Sequence, residues 1–141
     1  MDNCVGKAGM NMKEAGVLLY NLATDKGEQI NKLCNVLGIK VRWVEPKEYN
    51  LSLDSLSNFG GPVSVLANQK TIDNFLGEMM VMVNFTDELL DKFLKEYKLN
   101  KIEPVFLKAI LTPHNKTWSS IMLQKELIRE RLEINRSYNR K

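Results

Sequence analysis

Short apolar runs alternate along the chain with longer stretches whose apolar residues recur every three or four positions. Residues 17–22, 79–85 and 104–111 hold nearly continuous apolar runs, and residues 39–45 alternate apolar with polar side chains. Such runs predict four strands, of which the first and third are apolar enough to be buried on both faces. Between the strands, apolar residues recur every three or four positions, which predicts helices. The predicted order is therefore strand, helix, strand, a weaker central region, strand, helix, strand and helix.

The predicted helices have recognisable ends as well as apolar faces. Gly38 is the predicted left-handed C-cap of the first helix, and Thr86 is the predicted N-cap of the next long one. A terminal helix is predicted from Trp118 to about Arg136. The apolar residues of the first helix lie at positions i, i+3, i+4 and i+7, which are Ile30, Leu33, Cys34 and Leu37.

Alternating strands and helices favour a parallel sheet with helices on both faces. Because the first and third strands should be central, we predict a three-layer α/β/α domain whose four-stranded, mostly parallel sheet has the order 2-1-3-4. A ferredoxin-like α+β arrangement with the order 4-1-3-2 is the alternative, although it would leave one sheet face open. Residues 1–15 are predicted to be a flexible leader, 16–136 a single domain and 137–141 a basic tail. Residues 51–59 predict a short helix, and residues 63–77 predict an ambiguous second one.

The two halves of the chain resemble each other. Residues 18–44 and 81–107 both run from a strand through an asparagine and a Thr-Asp pair into a helix and a second strand. Asn21 corresponds to Asn84, with one residue deleted before the second Thr-Asp pair. A βαβ unit imposes most of this likeness by itself, so the pattern indicates two such units in succession.

Composition limits the class of protein. The chain has 141 residues, of which 44% are apolar and 26% charged, as in an ordinary soluble globular domain. Its net charge of +3 comes from residues 125–141, which carry six basic residues and three glutamates. Because the glutamates are interleaved with the basic residues, this end predicts a solvated helix rather than a nucleic-acid interface. We therefore expect a small-molecule or protein partner, and the oligomeric state is left open.

The two cysteines, Cys4 and Cys34, are too few for a disulfide framework. The first residues lack the apolar core of a signal peptide. No run of apolar residues is long enough to span a membrane. These observations predict a cytoplasmic protein without a membrane segment.

The motifs of common nucleotide and cofactor sites are missing from the sequence. It contains no Gly-x-Gly-x-x-Gly or Walker loop and no Gly-x-Ser-x-Gly nucleophile elbow. His114 is the only histidine, and it has no cysteine or carboxylate at metal-ligand spacing. The element order is similar to that of a truncated response-regulator receiver, but asparagines stand where that family needs acidic residues. We therefore predict no cofactor, no metal and no phosphoryl acceptance.

The candidate site follows from the predicted sheet. Open parallel sheets bind ligands outside the carboxyl ends of their strands, where the strand order reverses. The polar residues expected at that edge are Asn21, Asn84, Lys108, Thr112, His114 and Asn115. We expect these residues to meet there and to contact a ligand or partner, which would make the protein a small binding or regulatory module.

These residues also have structural interpretations. Asn21 and Asn84 suit turns in which their side chains satisfy the backbone. Lys108 can pack its stem at a sheet edge with its ammonium in solvent, and a lone histidine in a proline-containing turn is typical of the surface. Two other functions stay open. They are a small enzyme with Lys108 or His114 as acid–base, and a protein-interaction module that uses the terminal helix.

Several stretches together resemble a known family. They lie at residues 17–27, 33–42 and 78–82, in the Leu-Lys-Ala-Ile-Leu-Thr-Pro-x-Asn-x-x-Trp stretch of residues 107–118, and at Glu126-Leu127. They resemble a family of small bacterial proteins, common in clostridia and their relatives, that is catalogued only as a domain of unknown function. The resemblance covers about residues 17–132. It implies a cytoplasmic, stand-alone module and brings no established activity, substrate or cofactor.

Overall fold

The computed structural model describes residues 14–59 and 77–139 of the chain. The long helices and the strands lie where the hydrophobic pattern predicts them. The ambiguous second helix predicted over residues 63–77 and the predicted leader, residues 1–15, fall almost entirely outside the described residues. The elements in chain order are β1 (Gly16–Tyr20), α1 (Asp25–Leu37), β2 (Lys40–Val44), a 3-10 turn (Pro46–Glu48), α2 (Leu53–Leu56), β3 (Met79–Val83), α3 (Asp87–Leu99), β4 (Leu107–Ile110) and α4 (Ser120–Asn139).

The sheet has the predicted strand order, β2-β1-β3-β4, so the ferredoxin-like order is wrong. β1 is parallel to β2, and β3 is parallel to β4, but the two central strands are antiparallel to each other. The sheet is therefore mostly parallel, as expected, although its two parallel pairs run in opposite directions. An apolar run buried on both faces carries no signal for its direction, which is why the pattern left this feature open.

Helices cover both faces of the sheet, which confirms the three-layer architecture. Successive residues of a strand point to opposite faces. Accordingly, Val17 and Leu19 of β1 pack with α1 and α3, whereas Leu18 and Tyr20 pack with α2 and α4. β1 and β3 are buried along their whole length, and β2 and β4 form the edges. Within the described residues, no helix is both long and apolar enough to cross a membrane.

An approximate two-fold axis relates β1 to β3 and passes between Leu18 and Val81, which are paired with each other. An asparagine follows each of these strands in a left-handed conformation, with φ of 57° at Asn21 and 59° at Asn84. Asparagine adopts this conformation more readily than most residues because its short side chain can bond the backbone locally. The two halves of the chain therefore leave the central strands by the same backbone turn.

The same two asparagines join the halves of the chain. Asn21 Nδ2 donates to the Gly77 carbonyl oxygen at 2.9 Å, and Asn84 Nδ2 donates to the Glu14 carbonyl oxygen at 3.1 Å. Each acceptor lies just before the strand that pairs with the asparagine's own strand. The interpretation of both asparagines as turn residues that satisfy the backbone is therefore confirmed, and the two hydrogen bonds obey the same two-fold relation.

The helices after these turns repeat the likeness. Thr24 caps α1 by accepting a hydrogen bond from the Gly27 amide, and Thr86 caps α3 by accepting one from the Leu89 amide. Both helices are 13 residues long. The first half and the second half are thus two βαβ units with matching turns and caps, packed together through their first strands.

Candidate functional site

The antiparallel pairing of β1 and β3 divides the predicted site between two ends of the sheet. Asn21 follows β1 at the end where β1 and β2 terminate, which we term the Asn21 end. Asn84 follows β3 at the opposite end, where β3 and β4 terminate, and we term this the Asn84 end. Thr112 and the residues after it also lie there. The expectation that Asn21 meets the other predicted residues at one edge is therefore wrong.

At the Asn21 end, polar groups that the structure describes are hydrogen-bonded within the chain, and in this sense we call the end closed. Lys26 Nζ donates to Glu78 Oε1 at 2.7 Å and to the Pro104 carbonyl oxygen at 3.0 Å. Tyr97 donates its hydroxyl hydrogen to the Glu103 carbonyl oxygen at 2.6 Å. Burial, together with the nearby carboxylates, raises the pKa of Tyr97 to about 12, so this hydroxyl stays protonated and keeps its donor role. These polar groups are paired with one another.

The Asn84 end carries an open cleft of about 550 Å³. This volume lies within the range of about 300–1,000 Å³ that is usual for small-molecule sites. Of the six residues predicted for the site, the cleft includes Asn84 and Thr112. The described residues that line it are Glu14, Asp54, Ser57, Asn58, Phe59, Asn84, Leu111, Thr112, Pro113 and Lys116.

Two segments that line the cleft are neighbours in its wall, because backbone hydrogen bonds tie them together. One segment is α2 with the residues that follow it, and the other is the turn between β4 and α4. Leu53 N donates to the Trp118 carbonyl oxygen, and Asp54 N donates to the Lys116 carbonyl oxygen, both at 2.8 Å. These bonds fix where the Asp54 and Lys116 side chains leave the wall.

The aromatic part of the wall depends on a glycine at the start of β1. A Cβ atom added to Gly16 would lie 2.3 Å from the Cζ atom of Phe59, far inside van der Waals contact. Only glycine allows the ring to approach the strand this closely. Gly16 therefore sets the position of Phe59 in the cleft.

Asn115 does not line the cleft, but it holds the turn that carries Thr112. This side chain is buried, its Oδ1 accepts from the Thr112 amide at 2.9 Å, and its Nδ2 donates to the Ile110 carbonyl oxygen at 3.2 Å. The Asn115 amide in turn donates to Thr112 Oγ1 at 3.2 Å. Since its side-chain groups are used internally, Asn115 is a turn residue that holds Thr112 at the cleft.

Lys108 and His114 lie outside the cleft. Lys108 is exposed on the edge strand, where it borders a shallow groove with Phe106 and Arg131. His114 is exposed on the turn, and its ring meets that of Trp118 edge-on with centroids 5.3 Å apart. Both residues therefore take the surface positions that their structural interpretations describe.

The cleft carries charges of both signs. Asp54 and Lys116 have no ion-pair partner among the residues that the structure describes. Glu14 Oε1 lies 3.7 Å from Lys40 Nζ, and both side chains are more than half exposed. The described part of the chain holds no group of three or more histidine, cysteine or carboxylate side chains that suits a metal ion. The cleft is therefore equipped for ion pairs and hydrogen bonds with a small polar molecule.

Sequence reasoning missed several residues of the cleft. Lys116 stands next to Asn115, so extending the candidate edge by one residue would have included it. Asp54 and Phe59 come from the central region, and they reach the cleft through contacts between segments far apart in sequence. No local sequence pattern predicts such long-range contacts.

Other polar and nucleophilic side chains are buried in structural roles. The Tyr20 and Ser120 hydroxyls are 2.7 Å apart, and burial raises the pKa of Tyr20 well above its usual range. Arg42 Nη2 donates to Glu48 Oε2 at 2.6 Å. Cys34 is fully buried in the core between α1 and the sheet, which raises the pKa of its thiol to about 12 and makes it unreactive. The Tyr20–Ser120 contact joins α4 to β1, and the Arg42–Glu48 ion pair joins β2 to the 3-10 turn.

The segment from β3 to α4 matches a family of proteins. Residues 78–134 match the model of a family described as a domain of unknown function (DUF3783). This agrees with the resemblance to such a domain over the second half of the chain. The matched segment contains Asn84 and the turn after β4, but the wall formed by Asp54 and Phe59 lies outside it. Comparisons with curated proteins and with solved structures found no match.

Proposed function

We propose that the protein is a small-molecule binding module whose ligand occupies the cleft at the Asn84 end. The contrast between the two ends of the sheet carries the proposal. At the Asn21 end, Lys26 donates hydrogen bonds to Glu78 and to the Pro104 carbonyl oxygen, whereas a cleft of about 550 Å³ lies at the Asn84 end. Polar groups that converge on a cleft at the carboxyl ends of parallel strands are typical of ligand sites in α/β proteins.

Preorganised walls also support binding. Asn115 holds Thr112 through hydrogen bonds in both directions, and the Asp54 amide is bonded to the Lys116 carbonyl oxygen. A ligand that enters the cleft therefore meets backbone that is already ordered. Since less conformational entropy is lost on binding, a small ligand can be held by few contacts.

The biological setting is part of the same proposal. We propose a cytoplasmic bacterial protein of the clostridial type of family, with the likeness extending over about residues 17–132. The family match at residues 78–134 supports the second half of that range. The most specific stretch, residues 107–118, supplies one wall of the cleft. A regulatory role would follow if the ligand changed a protein contact, and neither nucleic acid nor membrane is an expected partner.

Thermal unfolding of the full chain with a panel of amino acids, nucleotides, sugars and metal ions tests the proposal. A ligand at a hundred times its Kd should stabilise the fold by about 2.7 kcal/mol, which raises the Tm by on the order of 5–10 °C for a chain of this size. Asn58→Trp should occupy part of the cleft and reduce or abolish the shift. Asn50→Trp is the matched control, because Asn50 is exposed and lies outside the cleft.

Two results of this experiment would overturn the proposal. One is the absence of a shift with every compound in the panel. The other is a shift that survives in the Asn58→Trp variant at full size, because the ligand would then bind elsewhere. A shift reduced or lost in that variant and kept in Asn50→Trp would establish the cleft as the site.

A second candidate function is protein interaction through α4. Every residue from Arg129 to Ile134 is exposed, and the Leu132 and Ile134 side chains are 56% and 59% exposed. Residues 125–141 carry the net positive charge of the chain, which favours an acidic protein partner. Removing residues 133–141 should abolish a complex with such a partner in gel filtration and leave the Tm unchanged. A complex that survives the truncation would exclude this function.

The geometry gives no support to acid–base chemistry by Lys108 or His114. Both residues are exposed, and neither lines the cleft. A general acid or base must come within hydrogen-bond reach of the bound substrate, so neither residue is positioned to act on a ligand held there. Ligand binding and protein interaction are therefore the functions that we carry forward.

A further inference from the structure

We infer that the ligand of the cleft is a free α-amino acid with an apolar side chain. The inference rests on the proposed binding function and names its ligand class. Three features of the lining carry it: opposite charges that form no ion pair among the described residues, neutral hydrogen-bonding groups, and apolar side chains that include an aromatic ring.

The charges favour a zwitterion. Asp54 and Lys116 both line the cleft, and their backbones are joined by a hydrogen bond of 2.8 Å. Their side chains nevertheless form no ion pair with each other or with any other described residue. A ligand ammonium can pair with the carboxylate of Asp54, and a ligand carboxylate can pair with the ammonium of Lys116. Charge-assisted hydrogen bonds of this kind are the strong ones.

The rest of the wall suits the remaining parts of such a ligand. Phe59, Leu111 and Pro113 are apolar residues of the lining, and the Phe59 ring lies close against Gly16. Asn58 also lines the cleft, and its side-chain amide can donate to a ligand carboxylate or accept from a ligand ammonium. An amino acid with an apolar side chain carries both charged groups on one carbon, and its side chain can contact the apolar residues of the lining.

Other ligand classes match these groups less well. A phosphate would face the carboxylates of Glu14 and Asp54, with Lys116 as the cation on the described wall. α2 has four residues, too few to offer a helix N-terminus to an anion. A divalent cation would need a set of carboxylate or imidazole ligands that the described residues do not assemble. A peptide end carries one of the two charges and leaves the other wall charge unpaired.

Three probes with the same phenyl group separate the charges. Phenylalanine carries both charges, phenethylamine only the ammonium, and 3-phenylpropanoate only the carboxylate. Each is titrated into the isotope-labelled full chain while amide NMR signals are followed. We expect phenylalanine to shift the amides of Ser57, Asn58 and Thr112, and to bind about tenfold or more tightly than either singly charged probe.

Charge-removing variants assign each contact. Asp54→Asn should weaken phenylalanine and phenethylamine binding about tenfold and leave 3-phenylpropanoate unchanged. Lys116→Gln should weaken phenylalanine and 3-phenylpropanoate binding about tenfold and leave phenethylamine unchanged. The matched controls are Asp91→Asn and Lys108→Gln, which alter exposed residues outside the cleft and should change no affinity.

The outcomes distinguish the inference from the proposed function. If phenylalanine binds no more tightly than phenethylamine, or if another compound shifts the cleft amides and phenylalanine does not, the amino-acid inference is wrong while the binding function stands. If no compound of the wider panel perturbs the cleft, the binding function itself fails. The amide spectrum shows whether each variant is folded, and a folded variant that weakens all three probes equally would overturn the assignment of the two charges.

Discussion

The Asn21 end and the Asn84 end of the sheet are related by one two-fold axis, yet one is closed and the other is open. At the Asn21 end, Lys26 Nζ lies 2.7 Å from Glu78 Oε1, and both side chains are mostly buried. At the Asn84 end, Lys40 Nζ lies 3.7 Å from Glu14 Oε1, and both side chains are more than half exposed. The asparagine hydrogen bonds are the same at both ends. The central strands and their asparagine turns are therefore equivalent at the two ends, whereas the segments and side chains around them differ.

The difference begins at the second residue of each helix. Thr24 and Thr86 are equivalent N-caps, so Lys26 of α1 corresponds to Glu88 of α3. Lys26 reaches across the sheet end to Glu78, while Glu88 is exposed and has no ion-pair partner among the described residues. A glutamate there is favoured by the helix dipole, but it does not close its end. The second helical residue is therefore a lysine at the closed end and a glutamate at the open end.

The largest effect is expected at the two-fold axis itself, because both halves depend on it. Leu18 and Val81 are fully buried and paired. Leu18→Ala should lower the free energy of unfolding by about 3 kcal/mol, and Val81→Ala by about 2 kcal/mol, since each leaves a cavity between sheet and α2 or α4. Urea denaturation measures both. Because the residues touch, the double variant should not be additive, and losses below about 1 kcal/mol would contradict the packing described.

The next effect tests whether the two asparagine turns are equivalent. Asn21→Ala and Asn84→Ala should each cost about 2 kcal/mol, because each loses a hydrogen bond and places alanine in a left-handed conformation. Asn21→Gly and Asn84→Gly keep the conformation and should recover about half of the loss. Urea denaturation of the four variants gives the comparison. A loss at one turn that is several times the loss at the other would break the two-fold equivalence.

These turns also show how far the sequence could be read. Gly38 and Thr86 carry their capping roles in their own chemistry, so the helix ends were predictable. The strand order followed from which runs were apolar enough to be central. Asn21 and Asn84 were identified as the residues that follow the central strands, yet they were assigned to one edge. That error has a physical cause, since hydrophobicity reports burial and is blind to strand direction.

The cleft was predictable only where it is built from residues close in sequence. Thr112 follows β4 directly, so placing it at a strand end was correct. Asp54 and Phe59 reach the cleft through backbone bonds to the turn after β4 and through contact with Gly16. Such contacts depend on the path of the chain between distant segments. A sequence can place a candidate at a strand end, but it does not say which distant segment forms the other wall.

The helix C-termini offer a smaller test of the same comparison. α1 ends at Gly38 with φ of 74°, whereas the left-handed position after α3 is taken by Lys101 with φ of 57°. Gly38→Ala should cost about 1 kcal/mol, because the space is free and only the conformation is strained. Lys101→Gly should stabilise by about 0.5 kcal/mol for the opposite reason. Thermal unfolding reports both signs, and destabilisation by Lys101→Gly would show that the lysine side chain has a role of its own.

The smallest effect separates the closed end from the open one directly. Lys26→Met should cost about 1 kcal/mol, because it leaves Glu78 and the Pro104 carbonyl oxygen without their donor in a mostly buried place. Lys40→Met makes the same change at the open end and should cost less than about 0.3 kcal/mol, since its pair is long and exposed. Urea denaturation at low and high salt measures both, with the Lys26 loss the more resistant to screening. Equal losses would mean that the two ends are closed to the same degree, and the argument for a ligand at the Asn84 end would lose its basis.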